Sequence, residues 1–312
     1  MKTQAGFALL AVMLVLTLLA VVVTEFTFSA RLEASMVRAY RDGVLASHLA
    51  ESGVEQAIRE ILSQAQIAAP DRDGQLIFYR ALPGQTTAAR LPALPRTRVG
   101  LGSGEFSYRI TDEAGRLSVN GPAVRIDRLL AALGLDQQQR DIIRDSLEDW
   151  RDANEISRLN GAESDFYLRL AVPYRARNAN VQDTAELLQI RGVTRELYFG
   201  TAERPGLHDL VSAVGLSTVN VNTASAPVLK ALGLSDAEVA NVIETRARVP
   251  YTAVPGPLAG RGLTVASATF RIEAVGVAGG IPRSRVVAVV QRGGPQGPLG
   301  VRILSWRPGS AE

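Results

Sequence analysis

The sequence predicts an α+β fold: one long N-terminal helix packed on a small antiparallel sheet, with a large all-α domain inserted between the strands. Three observations predict it. An uncharged apolar run passes into an amphipathic helical stripe over residues 7–65. Strand-like alternation is confined to stretches before residue 120 and after residue 249. The segment between them, residues 121–248, carries helical periodicity and two helix-turn-helix echoes. Strands split around a helical block read as one sheet with an insertion.

The first helix begins behind a short polar leader, residues 1–6, that carries one positive charge. Phe7 to Thr24 contains no charged residue, and such a run of 18 residues can cross a bilayer core as a helix. A secretory signal peptide places its cleavage site after its apolar region, and that region is shorter. Here the only plausible processing site, Gly6 followed by Phe7, precedes the apolar run. Cutting there leaves the helix on the mature chain with Phe7 as its N-terminus. A plain signal anchor with a chance Gly-Phe pair is the alternative. Glu25 and Arg31 mark emergence into water, and Leu45, Leu49, Val54, Ile58, Ile61 and Leu62 then form one apolar stripe. Gly43 and Gly53 oppose a single helix, each by roughly 1 kcal/mol relative to alanine. Two separate helices are the alternative; Pro70 lies beyond the end in either case.

Residues 66–103 hold four prolines and several glycines and read as a linker with one short strand at Leu76–Tyr79. Phe106, Tyr108 and Ile110 alternate with polar residues as a strand, Asp112 to Gly115 make a turn, and Leu117–Val119 return as a second strand. In the helical block, residues 130–136 echo residues 229–235. Gly134 and Gly233 suit helix C-caps, and Asp136 and Ser235 suit the N-caps of the helices that follow. Beyond it, Phe270–Ala274 alternates, residues 278–282 turn, Val286–Val290 is an apolar central strand, and Val301–Trp306 adds another. The expected organisation is a leader at 1–6, a spine helix at 7–65, a sheet domain from 66–120 and 249–312, and a helical insertion at 121–248.

Composition excludes several functions. The formal net charge of +3 over 312 residues is too small to argue for nucleic acid. With no cysteine there are no disulfides, thiol nucleophiles or thiolate metal sites. Only two histidines occur, and neither a phosphate-binding loop nor a HExxH helix is present. Gly100, Gly102 and Gly104 read as a flexible turn. His208-Asp209 lacks an accompanying nucleophile motif. Residues 219–246 resemble helix-hairpin-helix modules, including those of competence DNA receptors, which hold phosphates on hairpin amides. The hairpin here lacks its second glycine, and Asp236, Glu238 and Glu244 give it the wrong sign. It reads as a packing unit.

An acidic loop is the one candidate ligand site. Asp149, Asp152, Asn154, Glu155, Asn160, Glu163 and Asp165 crowd one short segment, with Gly161 able to turn the chain back. Calcium takes six to eight oxygens from such groups. The spacing is not that of an EF-hand. A solvated acidic loop partnered by Arg151 and Arg158 fits the spacing equally well.

The leader and apolar helix resemble the class III leaders of type IV pilins and type II secretion pseudopilins. Most pilins carry Glu at the fifth mature position; counted from Phe7 that position is Ala11. A buried Glu in such a helix needs a positive partner, taken in the family to be the N-terminal amine of a neighbouring subunit. A subunit that starts the fibre has no such neighbour, and absence of the Glu is typical of K-type minor pseudopilins. Further residues resemble that family: Asp149-Trp150, Asp152, Asn160 to Glu163, Phe166-Tyr167, Pro173 to Arg175, Glu186 to Leu188, Arg191 to Val193, and Val219 to Ala224. The resemblance implies a pilin-like spine and sheet, an inserted domain binding one or two calcium ions, and a place at the pseudopilus tip. It implies I- and J-type minor pseudopilins as partners, cleavage by a prepilin peptidase, and N-methylation of Phe7. It further implies a single pass through the bacterial inner membrane with the bulk in the periplasm, no catalysis and no nucleic acid. Asn154 and Ser164 stand where acids are expected, which weakens one of two possible calcium sites. A type IV pilus or DNA-uptake minor pilin is the alternative.

Overall fold

In the computed structural model, which describes residues 4–63, 67–71, 74–81, 87–214, 217–293 and 300–311, a single helix α1 runs from Gln4 to Leu62. Met1 to Thr3 of the leader lie outside the described residues. The helix is continuous through both glycines, so the two-helix alternative does not hold. Among the described residues, the window that qualifies as a membrane span has mean hydropathy 2.9 and no buried residue. From Ala46 onward one face is buried, through Leu49, Ala50, Val54, Ala57, Ile58 and Ile61. Burying each of the larger side chains contributes about 1.5–3 kcal/mol, so packing outweighs the glycine cost.

That face lies on a five-stranded antiparallel sheet of order β12-β11-β10-β5-β4. The strands are β4 (Val99–Leu101), β5 (Gly104–Asp112), β10 (Thr269–Ala278), β11 (Ile281–Arg292) and β12 (Val301–Ser310). Phe106, Tyr108 and Ile110 on β5 and Phe270, Ile272 and Ala274 on β10 point at the helix with period two. Close approach explains one of the glycines. Gly53 is where Ala274 and the Phe106 ring meet the helix. Opposite it, a Cβ on Gly276 would strike the Ala46 carbonyl and the Ala50 amide. The β10–β11 turn uses Gly279 and Gly280 with φ of 62° and 77°, the left-handed pair a two-residue hairpin requires.

Residues 66–103 hold more structure than the linker expected from their prolines. β1 (Ile67–Pro70), β2 (Leu76–Ala81) and β3 (Ala88–Arg90) form a separate small sheet. The proline-rich stretch after it is tied down by side chains instead. Buried Glu60 on α1 accepts from Arg96 at 2.6 and 3.0 Å and from the Tyr108 hydroxyl at 3.0 Å. Gln56 donates to the Pro95 carbonyl at 2.8 Å.

The helical insertion leaves the sheet at Asp112 on β5 and returns at Thr269 on β10, next to Phe270, the partner of Asp112. Its elements are β6 (Leu117–Ser118), α2 (Ala123–Ala132), α3 (Gln137–Arg151), α4 (Ser164–Tyr167), α5 (Arg195–Phe199), α6 (Leu207–Leu210), β7 (Val211–Ser212), β8 (Val219–Asn220), α7 (Ala226–Ala231), α8 (Asp236–Arg248) and β9 (Leu263–Thr264). The expected second strand at Leu117–Val119 does not return to the main sheet; β6 pairs in parallel with β7 inside the insertion. A second apolar core runs from Leu117 to Leu258, with Leu263 and Val265 packed on it. The helical unit therefore extends past residue 248 towards the return strand.

The two echoes are two matching helix pairs. Gly134 and Gly233 take φ of 83° and 85° after α2 and α7. Asp136 and Ser235 cap α3 and α8 in full capping boxes with Gln139 and Glu238.

Two adjacent buried acids form the joint between the units. Asp112 Oδ2 accepts from Asn220 at 2.9 Å, Thr223 at 2.6 Å and Ser267 at 2.5 Å. Glu113 accepts from Ser212 at 2.5 Å and from Arg271 at 2.6 Å, with Arg116 at 3.5 Å. Asp112 has only hydroxyl and amide donors, and burial pushes its carboxyl up in pKa. Burial acts the same way on Glu113, but Arg116 and Arg271 outweigh it and hold that carboxyl below its usual value.

The insertion lies at the end of α1 remote from the apolar half. The start of β10 is near Ile61, whose carbonyl accepts from Arg292 at 3.2 Å, whereas Gly276, late in β10, meets Ala46.

Candidate functional site

The last turn of α3 carries the acids. Asp145 and Asp149 are one turn apart and share its inner face; both are buried. Asp152 is the C-cap, and the chain then loops through residues 153–162 to Glu163, which stands at the N-cap position of α4 without a side-chain capping bond. An aromatic floor fixes α3 against α4. Trp150 meets Tyr167 edge-on with centroids 5.4 Å apart, and Tyr167 stacks on Tyr174 at 5.1 Å. The Arg191 guanidinium covers Phe166 and donates to the Gly161 carbonyl at 3.0 Å. Gly161 has no room for a side chain, because a Cβ would overlap Asp149 Oδ2.

Of the seven predicted oxygen donors, three converge. Asp149, Asp152 and Glu163 each offer a carboxylate oxygen within 4.8 Å of the others. Glu163 is 1% exposed, yet neither of its carboxylate oxygens has a hydrogen-bond partner among the described residues. Burial first, then the charges of Asp149, Asp152 and Glu155, push its pKa to about 7.

The other four are engaged elsewhere. Asn160 donates to Asp145 through both its backbone and side-chain nitrogens, at 3.3 and 3.1 Å. Asn154 donates to Asp152 at 2.6 Å and accepts from the Ile156 amide. Glu155 accepts from the Ser164 hydroxyl at 3.0 Å and from Asn178 at 2.9 Å. Asp165 points away to Arg169 at 3.0 Å and is largely exposed. Sequence reasoning missed Asp145, whose spacing of four from Asp149 was a readable signal. It also missed Asn178, which sits far along the chain at a left-handed φ of 50°.

This donor set suits calcium. A buried, unpartnered carboxylate beside two others supplies up to six oxygens before any carbonyl is counted. Buried carboxylates without hydrogen bonds are costly unless a cation compensates them.

Comparison with known proteins finds relatives across these residues. A sequence model described as "Type II secretion system (T2SS), protein K" matches residues 112–200, which include the whole acidic loop, and a second of the same description matches residues 219–266. Over both segments the chain is similar to the type II secretion system protein K family. It is 29% identical to the type II secretion system protein K of Pectobacterium carotovorum over 257 residues, spanning 75% of this chain and 71% of that one. It is 34% identical to that of Pseudomonas aeruginosa over 158 residues, 46% of this chain and 45% of the relative. Among solved structures, a chain of the GspK-GspI-GspJ complex from enterotoxigenic Escherichia coli superposes with a TM-score of 0.64 at 17% identity, over 89% of this chain and all of that one. At that identity the superposition shows the shared fold.

Similarity to protein K points to a minor pseudopilin of type II secretion. The other candidate sites agree with that role. His208 is engaged at both ring nitrogens, by Asp209 at 3.2 Å and by the Tyr198 carbonyl at 3.0 Å. In the helix-hairpin-helix unit, Arg261 bonds the Gly233 carbonyl and Glu238, at 3.3 and 3.0 Å, and Lys230 pairs with Asp236. These cations serve the hairpin itself, and a DNA-uptake role is not favoured.

Proposed function

We propose that this protein caps the tip of the periplasmic pseudopilus and starts its assembly, together with I- and J-type minor pseudopilins. The observation that carries this reading is the position of the helical insertion. It stands on the membrane-distal end of the spine helix, where a further subunit would otherwise stack. At the other end the bare apolar half of α1 is a single membrane anchor, with the bulk of the chain on the periplasmic side. The solved GspK-GspI-GspJ assembly supports the choice of partners. Ala11, exposed on α1, leaves the helix without the acid that would seek an earlier subunit's amine.

In this reading a prepilin peptidase cuts between Gly6 and Phe7, and Phe7 becomes the methylated N-terminus. Asp149, Asp152 and Glu163 hold a calcium ion. The ion supplies charge compensation and ties the end of α3 to the start of α4; it performs no catalysis. Asp145, Asn160, Ser164 and Asn178 orient the loop around it. Sequencing the N-terminus of the mature membrane protein tests the processing step. Phe7 is expected, and cleavage beyond residue 20 would contradict it.

A further inference from the structure

We propose that Arg158 is a built-in competitor for the cation, holding the loop closed when no ion is bound. The proposal rests on the calcium reading of the site. Arg158 Nη1 lies 2.6 Å from Asp149 Oδ1 and 2.7 Å from Asp152 Oδ2. These two carboxylates belong to the cluster that converges with Glu163. An ion drawing on both of them would meet the guanidinium at the same oxygens, and like charges repel strongly at such separations. The two occupants therefore exclude one another.

The arginine satisfies only part of the site. It bridges two acids and leaves both oxygens of Glu163 without a partner. A single charge set against three carboxylates is incomplete compensation, and a divalent ion compensates more of their charge. The arginine also has somewhere to go. Its side chain is 38% exposed, and Nη2 already lies 3.7 Å from Glu148 Oε2 at the rim. Its backbone amide also donates to Asp149 at 3.1 Å, so one tie between the loop and α3 remains when the guanidinium leaves. Arg158 is thus a positioning residue in the ion-free loop and an opposing charge to ion entry. It sets the calcium concentration at which the loop switches occupant.

The test is calorimetric titration of the full-length chain in detergent with calcium chloride, for wild type, Arg158→Gln and Arg158→Lys. Melting in calcium and in chelator provides the second readout. Removing the guanidinium from the oxygens of Asp149 and Asp152 should tighten calcium binding about tenfold. Arg158→Gln should melt below wild type in chelator and no lower than wild type in calcium. Arg158→Lys, which keeps the charge, should bind like wild type. A purely structural arginine would lower melting equally in both conditions, and that result overturns the proposal. Equal or weaker calcium binding by Arg158→Gln overturns it too, while leaving the calcium reading intact. So does an Arg158→Gln chain that fails to fold in calcium, because the ion should replace the arginine. No binding by wild type or either variant overturns the calcium reading and the proposal together.

Discussion

Glu163→Gln should stabilise the ion-free protein and abolish its response to calcium. The substitution keeps shape and removes charge from a carboxylate that is buried and has no hydrogen-bond partner. Its pKa is raised from 4.5 to about 7. A carboxyl that holds its proton more tightly when folded contributes most to stability below its unfolded value. That contribution falls as pH rises from 4.5 through 7 and is then constant. The difference of about 2.5 pH units, at 1.36 kcal/mol each, is a penalty of about 3 kcal/mol at pH 8. Glutamine removes it. For a chain of this size that corresponds to a melting temperature about 6–12 °C higher in chelator. At pH 5, where the folded carboxyl is already protonated, most of the difference should vanish. In calcium at pH 8 the order should reverse, because only wild type gains RT ln(1 + [L]/Kd) from the ion. Circular-dichroism melts of the full-length chain in detergent read all three conditions. If Glu163→Gln destabilises the chelated protein at pH 8, the carboxylate is satisfied within the fold and the reasoning fails.

Other outcomes follow from the packing. Gly276→Ala should lower stability by about 3 kcal/mol, because its Cβ must push α1 off the sheet at Ala46 and Ala50; an unchanged denaturation midpoint would refute that contact. Arg271→Leu should cost about 3 kcal/mol by leaving Glu113 with one guanidinium instead of two. Glu113's carboxyl is held below 4.5, so its contribution is present above that pH and lost as pH falls through the lower folded value. Acid titration of stability should accordingly lose amplitude in the Arg271→Leu variant. Gly6→Val should leave the uncut precursor in the membrane, read as a heavier band by mass spectrometry.

The spine helix was legible because periodicity and charge are local. Leu49, Val54, Ile58 and Ile61 announced the buried face, and the helix caps at Gly134, Asp136, Gly233 and Ser235 were each marked by residue type. What escaped was set by distant partners. Glu60 carries no local signal of burial in the sequence; it is buried because Arg96 and Tyr108 reach it from distant segments. β6 is two residues long and finds its partner nearly a hundred residues away, so no local pattern could distinguish it from a hairpin return. The prolines at 83, 92 and 95 masked the small sheet beside them. In the acidic loop, composition named the right neighbourhood, but seven oxygen donors look alike in sequence. Only the fold separates Glu163, buried without a partner, from Asp165, one residue past Ser164 and paired in solvent with Arg169.

The proposed place at the pseudopilus tip requires this chain to meet two other minor pseudopilins. The most direct measurement is affinity capture of the full-length chain co-expressed with the I- and J-type pseudopilins of its own secretion system, followed by native mass spectrometry. A complex holding one copy of each of the three is expected. A chain that is recovered alone, or that forms a uniform fibre with copies of itself, would contradict it.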